Sequence, residues 1–596
     1  VIVLVYAYGI THIDAQSLWF DEAWSVYAVR NPPPATFEPP RGLRSLTLTP
    51  ARAAYTDVTA TLNRVREDVH PPLYFLLLDG WVWLTGESVF ALRYLSLLVG
   101  LVGAAALYWL ACDLFGGVAG RYALLLYGTA VLFVAYTQEA RMYTLLMTLA
   151  VASTAAYRRL VRAPSRWRVG LYAVAAALAL YTHYAAALVL LAHGLHILLT
   201  RRGGLLALVA AAALFTPYLP VVWGQLVANP GGALAAPIAT DFAAVRGLWL
   251  MVTGGWGWLY ALVLAAAGVA AVRVPVWRSG LLLVTLWLFI TPFVLLAANA
   301  AVMPLFQVRY VLGALPALVL LLAAGLALLH QVRWGRWGAR VAFAGMVVAQ
   351  ITAQPSIIPP KPDYDSAIAA ASAARDPLAP IITDIAPRDP VRYYAPRYNL
   401  TAGPSVDLSW RDHTAEEVAT IVKGFEFAPT VWTVLPVNVA KTWYTVAALQ
   451  AQGRTPGYAA NVENMVIYSW ARDGSDPLAF TFEDAAEQTV AMYTVEVGAG
   501  VTAQAGKTVC VPVALAVERE ATAFVTLVGG YNEVITAWQG DPHADEACIN
   551  VPADAPPGEY AVYLALFDGD GTRYPVMHAN VWWGWWVVSH RLTVVP

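Results

Sequence analysis

Residues Arg309 to His330 read RYVLGALPALVLLLAAGLALLH. Between the terminal arginine and histidine there is no charged side chain, and about 20 mostly apolar residues suffice to span a bilayer. Working outward, comparable apolar stretches lie near residues 88–112, 118–136, 142–160, 169–183, 184–200, 203–222, 246–272, 279–299 and 338–355. A shorter one opens the chain at 1–13 and reads as a transmembrane helix lacking its N-terminal half. It has no charged n-region or cleavage site of a signal peptide. The total is about 11 transmembrane helices, the pattern of a polytopic α-helical membrane protein.

Composition agrees with that pattern. Of 596 residues 59% are hydrophobic and 13% are charged, about half the charged share of an ordinary soluble domain. The excess of apolar residues ends near Gln354, and charges and turn residues become ordinary after Pro359. The expected domains are therefore a multi-span part at 1–358, an α/β domain at 359–475 and a β-sandwich at 476–596. The α/β reading rests on helical patterns (SAIAAASAAR, AEEVATIVKGF) alternating with short β-like runs (PIITDI, TVWTVLPV, NMVIYSW). The sandwich reading rests on β-like runs separated by Gly, Asp and Pro turns. A net charge of −2 and the absence of a basic run exclude a nucleic-acid partner.

Orientation follows from arginine placement. Arg158, Arg159, Arg162, Arg166 and Arg168 share one connection; Arg201 with Arg202, Arg273 with Arg278, and Arg333 with Arg336 and Arg340 occupy three others. All four fall on one side, which the positive-inside rule makes cytoplasmic. The opposite side then carries the long loop 14–70, the turn at 136–142, the loop 223–245, the connection 300–308 and the whole tail. The cell membrane is the expected location, with extracytoplasmic C-terminal domains. Pro71 to Gly86 is apolar but short, and fits an interfacial or half-membrane helix on the outer face, with Trp81 and Trp83 at headgroup level. Cys510 and Cys548 in the tail could pair or stay free.

The ionisable residues gather at that outer face. LWFDEAW places Asp21 and Glu22 among Trp19, Phe20 and Trp24. Two adjacent carboxylates are costly in an apolar setting. On a helix they point about 100° apart, so one can face a cleft while the other meets a metal, an arginine or the backbone. A solvated turn in an aromatic belt would look the same. His70-Pro71-Pro72 is either a stiff start to a helix or a rigid mount for a hydrogen-bond donor. TQEARMY (Thr137–Tyr143) sets Glu139, Arg141 and Tyr143 in a short outer turn, where ionisable groups are functional by default. Arg309 and Tyr310 open a later span on the same side. A guanidinium fork suits a phosphate oxygen pair. His183, in LYTHYAA, reads as a supporting residue. Asn399-Leu400-Thr401 is a glycosylation sequon.

Taken in order, the DE pair, HPPLY, FALRYLSLL, QEARMY and RYVLGALPAL resemble the dolichyl-phosphate-mannose–protein mannosyltransferases (glycosyltransferase family 39) and the related lipid A aminoarabinose transferases. These are membrane glycosyltransferases of the C-type fold. The resemblance covers roughly Ser17 to Pro316. It implies inverting transfer of a hexosyl or pentosyl group from a polyprenyl-phosphate donor to a lipid, protein or glycan acceptor. Asp21 would be the catalytic carboxylate and Glu22 its partner. His70, Arg141, Arg309 and Tyr310 would hold the donor phosphate, supported by Glu139, Tyr143 and His183. His70 stands where relatives often carry lysine. No cofactor is required by that chemistry, and a divalent metal near Glu22 is compatible with it. A flippase for lipid-linked sugars and a non-catalytic anchored binding protein are the competing readings. A flippase would commonly show internal duplication or helices broken at the membrane midplane, and an anchor needs one or two spans.

Overall fold

A computed structural model of the chain describes residues 10, 13–14, 16–29, 58–66, 68–200, 203–228, 242–301 and 307–357. In the tail it describes 363–375, 379, 381–383, 393–398, 405–407, 415–423, 430–436, 440–462, 465–471, 478–484, 488–495, 500–513, 515–528, 534–555, 558–569, 571, 573–574, 576–578, 581–584 and 587–595. Most of the expected first span and of the first loop, and the sequon, lie outside these residues. The described residues fall into two compact units. One takes in residues through Gln16, 24–29 and 58–357; the other takes in 17–23 and 363–595.

The first unit is helical. Among the described residues, four helical stretches are long and apolar enough to cross a membrane: Val89–Phe115, Leu205–Val227, Pro275–Asn299 and Val308–Gln331. Two more are broken pairs, Gly117–Thr129 with Val131–Thr137, bent by 60°, and Val245–Thr253 with Gly257–Arg273, bent by 86°. Hydropathy alone merges each pair into one span, because both halves are apolar. The helices Tyr143–Arg162, Arg166–Leu180, Ala186–Thr200 and Gly335–Ile357 occupy the other expected positions, and Leu73–Thr85 is a short helix after the Pro-Pro step. Burial ranks the stretches. In its most apolar stretch Val308–Gln331 has 94% of its residues buried, whereas Leu205–Val227 has 17% and turns apolar side chains outward. An outward apolar face is what hydrocarbon, not water, accommodates.

Sequence explains one of the two breaks. The sharper one runs through Gly254 and Gly255, with φ of 59° and 82°, a region costly for residues with a Cβ. A Cβ on Gly254 would also come within 2.4 Å of the Ala349 carbonyl oxygen. A break leaves backbone groups without helical partners, at a cost of several kcal/mol each in a dry interior. One side chain serves both breaks. Buried Gln350 accepts from the Val131 N–H at 2.9 Å and donates at 2.9 Å to the Val252 carbonyl and to the Tyr260 hydroxyl.

Small residues set the packing that carries the site. The helix Val89–Phe115 is capped by Ser88, whose hydroxyl accepts from the Ala91 N–H at 3.2 Å. It meets Tyr143–Arg162 across Gly103, where a Cβ would lie 2.3 Å from Thr148 Oγ1. That hydroxyl donates to the Val99 carbonyl at 3.0 Å, a small-residue contact with a hydrogen bond across helices.

In the second unit a mixed five-stranded sheet runs in the order β2-β1-β3-β5-β4. Its strands are β1 (Ile381–Thr383), β2 (Ser405–Asp407), β3 (Thr430–Pro436), β4 (Thr455–Val462) and β5 (Met465–Ala471). β1 pairs parallel with β2 and β3, and β5 pairs antiparallel with β3 and β4. The helices Tyr364–Ala374, Ala415–Lys423 and Ala440–Ala451 belong to this α/β part. Among the described residues from Leu478 on, the strands form two further five-stranded sheets and a two-stranded ribbon. In the ribbon Cys510 lies opposite Cys548, and the two form a disulfide.

Candidate active site

The end of the first loop folds back on a helix within the same loop. Helix Phe20–Val29 carries Trp24, whose indole N–H donates to Asp68 Oδ2 at 2.7 Å. The same oxygen meets His70 Nδ1 at 2.9 Å. Arg64 closes the other end of that helix by donating to the carbonyls of Tyr27 and Ala28 at 3.0 and 3.1 Å, a basic cap on its last turn. Arg93, from FALRYLSLL, is buried and donates to the carbonyls of Ile13 and Gln16 at 2.9 and 2.7 Å. It ties down the chain at the start of the first loop.

Asp68 was not visible as a site residue in the sequence. Burial would raise its pKa; the charge and hydrogen bond of His70, the Arg141 charge and the Trp24 N–H outweigh burial and hold the carboxyl well below the usual carboxylate range. An ionised Asp68 fixes the orientation of the His70 ring through its Nδ1.

His70 leads to a second buried histidine. The rings of His70 and His183 lie 5.7 Å apart between centroids, and His183 also faces Tyr143 at 5.8 Å and Tyr310 at 5.2 Å. Arg141 and Arg309 are within electrostatic reach of His183. Arg141 is buried in the turn before Tyr143–Arg162; its backbone N–H donates to the Glu139 carbonyl at 2.8 Å and its Nη1 to Ser25 Oγ at 3.4 Å. Arg309 sits in a 3-10 turn, Val308–Tyr310, with its guanidinium 5.8 Å from the Tyr310 ring centroid.

His183 has an informative hydrogen-bond state. Its Nδ1 accepts the Ala185 backbone N–H at 3.1 Å. In the neutral ring the proton then resides on Nε2. That Nε2 is buried and, among the described residues, meets no hydrogen-bond partner. An unsatisfied buried donor costs about 1–3 kcal/mol. Here it lies within electrostatic reach of Arg141 and Arg309.

The structure thus gathers His70, Arg141, Tyr143, His183, Arg309 and Tyr310, with Glu139 in the Arg141 turn. Asp21 and Glu22 belong to the other compact unit, at the start of helix Phe20–Val29. The helix bonds begin at the Trp19 carbonyl, which accepts from Glu22 and Ala23 at 3.0 and 2.9 Å. Glu22 is buried, and its Oε2 accepts the Trp19 N–H at 3.4 Å, one half of a capping box. Asp21 is only half-buried. The pair is therefore split: Glu22 is tied to the helix start, and Asp21 is the more exposed carboxylate. Among the described residues the sole group of three metal-ligand side chains at ligand spacing is Cys510, Glu546 and Cys548. Its cysteines are bonded to each other, and Glu22 belongs to no such group.

Residues 69–223 match the family model described as dolichyl-phosphate-mannose-protein mannosyltransferase. That segment holds His70, Glu139, Arg141, Tyr143 and His183. Among solved structures, ArnT from Cupriavidus metallidurans in the apo state aligns with TM-score 0.51 and 14% identity over 80% of this chain and 99% of that one. The same protein bound to undecaprenyl phosphate gives 0.49 and 13% over 78% and 96%. The Archaeoglobus fulgidus oligosaccharyltransferase in the apo form gives 0.46 and 8% over 100% and 98%. No match was found among curated protein sequences. The chain shares the C-type membrane glycosyltransferase fold, and its central segment is similar to the mannosyltransferase family.

Proposed function

We propose that this protein transfers a hexosyl or pentosyl group from a polyprenyl-phosphate donor to an extracytoplasmic hydroxyl, with inversion at the anomeric carbon. The observation that carries the reading is the buried cationic cluster with its unsatisfied His183 Nε2–H. A lipid phosphate supplies the acceptor that donor lacks. The matched family, named for a dolichyl-phosphate sugar, supports the donor class. The disulfide Cys510–Cys548 supports a tail outside the cytoplasm, where thiols oxidise.

In this reading the acceptor, a lipid, protein or glycan, loses its hydroxyl proton to Asp21 as the oxygen attacks the anomeric carbon. The bond from that carbon to the phosphate oxygen breaks on the opposite face. The electron pair stays on the phosphate, which leaves as a stable anion and needs no second carboxylic acid, unlike a glycosidase leaving group. Arg141, Arg309, His70 and His183 stabilise the charge that grows on it. Glu22 holds the helix start that carries Asp21. No step is assigned to a metal.

The test uses purified protein in nanodiscs, a panel of radiolabelled polyprenyl-phosphate sugars and an Asp21→Asn control. Release of polyprenyl phosphate from one donor, abolished in the control, is expected. Normal turnover in folded Asp21→Asn would remove the base assignment. No release from any donor would favour transport or binding of lipid-linked sugars instead.

A further inference from the structure

The segment just before Asp21 is held by the tail, more than 300 residues away in the chain. Ser17 Oγ donates to Asp363 Oδ1 at 2.6 Å and accepts the Asp365 backbone N–H at 3.0 Å. The Leu18 N–H donates to the Tyr394 hydroxyl at 2.8 Å. These partners are built, not incidental. Asp363 caps the helix Tyr364–Ala374, its Oδ1 also accepting the Ser366 N–H at 3.1 Å. Tyr398 donates to Asp365 Oδ1 at 2.8 Å. Tyr394 is buried, as are Ser17 and Leu18. Ser17–Ala23 groups with the tail in one compact unit.

The next residue gives this geometry its consequence. Trp19 provides the carbonyl on which helix Phe20–Val29 starts. Fixing residues 17 and 18 fixes where that helix begins, and so the direction of Asp21 two residues into it. We propose that Asp363 and Tyr394 are positioning residues for Asp21, so that the C-terminal region is a working part of the catalytic apparatus rather than a spacer. The catalytic role of Asp21 is taken from the function proposed above.

The test compares the full-length protein with Tyr394→Phe, Ser17→Ala and, as a conservative rescue, Ser17→Thr. Two readouts are needed. Hydrogen exchange in a peptide covering residues 17–23 is expected to quicken about tenfold at Leu18 in Tyr394→Phe, since one backbone hydrogen bond is lost. The kcat for polyprenyl phosphate release is expected to fall on the order of tenfold to a hundredfold in Tyr394→Phe and Ser17→Ala, with polyprenyl phosphate affinity unchanged. Ser17→Thr should restore it. Unchanged exchange overturns the clamp whether or not the protein has activity. Faster exchange with unchanged kcat overturns the positioning role. Faster exchange in a protein whose wild type releases no polyprenyl phosphate leaves the clamp standing and overturns the function on which its catalytic meaning rests.

Discussion

Two pairs of buried histidines line the same group of helices, and they differ in one respect. Around His193 and His196 every ring nitrogen has a partner. Thr154 Oγ1 gives its proton to the Ala150 carbonyl at 2.7 Å, so His193 Nε2 donates to that hydroxyl at 3.0 Å. Its Nδ1 accepts from the Tyr172 hydroxyl at 3.0 Å. His196 Nδ1 accepts from the Tyr157 hydroxyl at 2.7 Å, and its Nε2 donates to the Ser279 carbonyl at 3.0 Å. The Tyr157 and His193 rings stack at 4.7 Å. In the other pair His70 is anchored by Asp68, while the buried donor of His183 meets no partner among the described residues. Completed polar networks join helices; the incomplete one is where the proposed function seats the lipid phosphate.

This contrast can be broken in three ways, taken from the largest effect down. Arg141→Ala should lower kcat/KM for the lipid-linked donor on the order of a hundredfold to a thousandfold, as loss of a transition-state charge partner does. A fall of only twofold would separate the cationic cluster from the chemistry. Next, His193→Leu should cost about 2–3 kcal/mol of stability by leaving two buried hydroxyls short of partners, with turnover little changed. His183→Leu should cost less than His193→Leu, because it removes an unsatisfied donor and frees only the part-buried Ala185 N–H. Equal destabilisation by both would erase the distinction.

The smallest effect concerns Asp68. Its folded pKa is depressed, so its charge stabilises the fold fully above the unfolded carboxylate pKa and progressively less as pH falls toward the folded value. Asp68→Asn should cost about 1–2 kcal/mol at neutral pH, and the gap from wild type should narrow below roughly pH 4. A gap independent of pH would mean that the carboxylate's charge is immaterial.

How much of this was legible follows from how far apart the partners lie in sequence. Arg141, Arg309 and His70 stood out because ionisable residues at the ends of apolar stretches are rare, and each could be judged from its own neighbours. Asp68 sat two residues before His70 in plain view, but its meaning depends on Trp24, 44 residues away. His193 and His196 were visible in an apolar run, yet their partners come from three other helices. The bend at Gly254–Gly255 was hidden because apolar residues flank it on both sides, and the residue that completes it, Gln350, lies 98 positions beyond Val252. The hold on Ser17 and Leu18 had no local signature. Spacing within one element is readable from sequence; satisfaction of a buried polar group across elements needs coordinates.

One comparison tests the central claim most directly: the affinity of undecaprenyl phosphate for wild type, His183→Leu and His193→Leu, measured side by side in nanodiscs. Loss of one hydrogen bond to a charged group predicts a roughly tenfold or greater weakening at His183 and a change within about twofold at His193. Equal affinities across all three proteins would contradict the assignment of the unsatisfied His183 donor to the lipid phosphate.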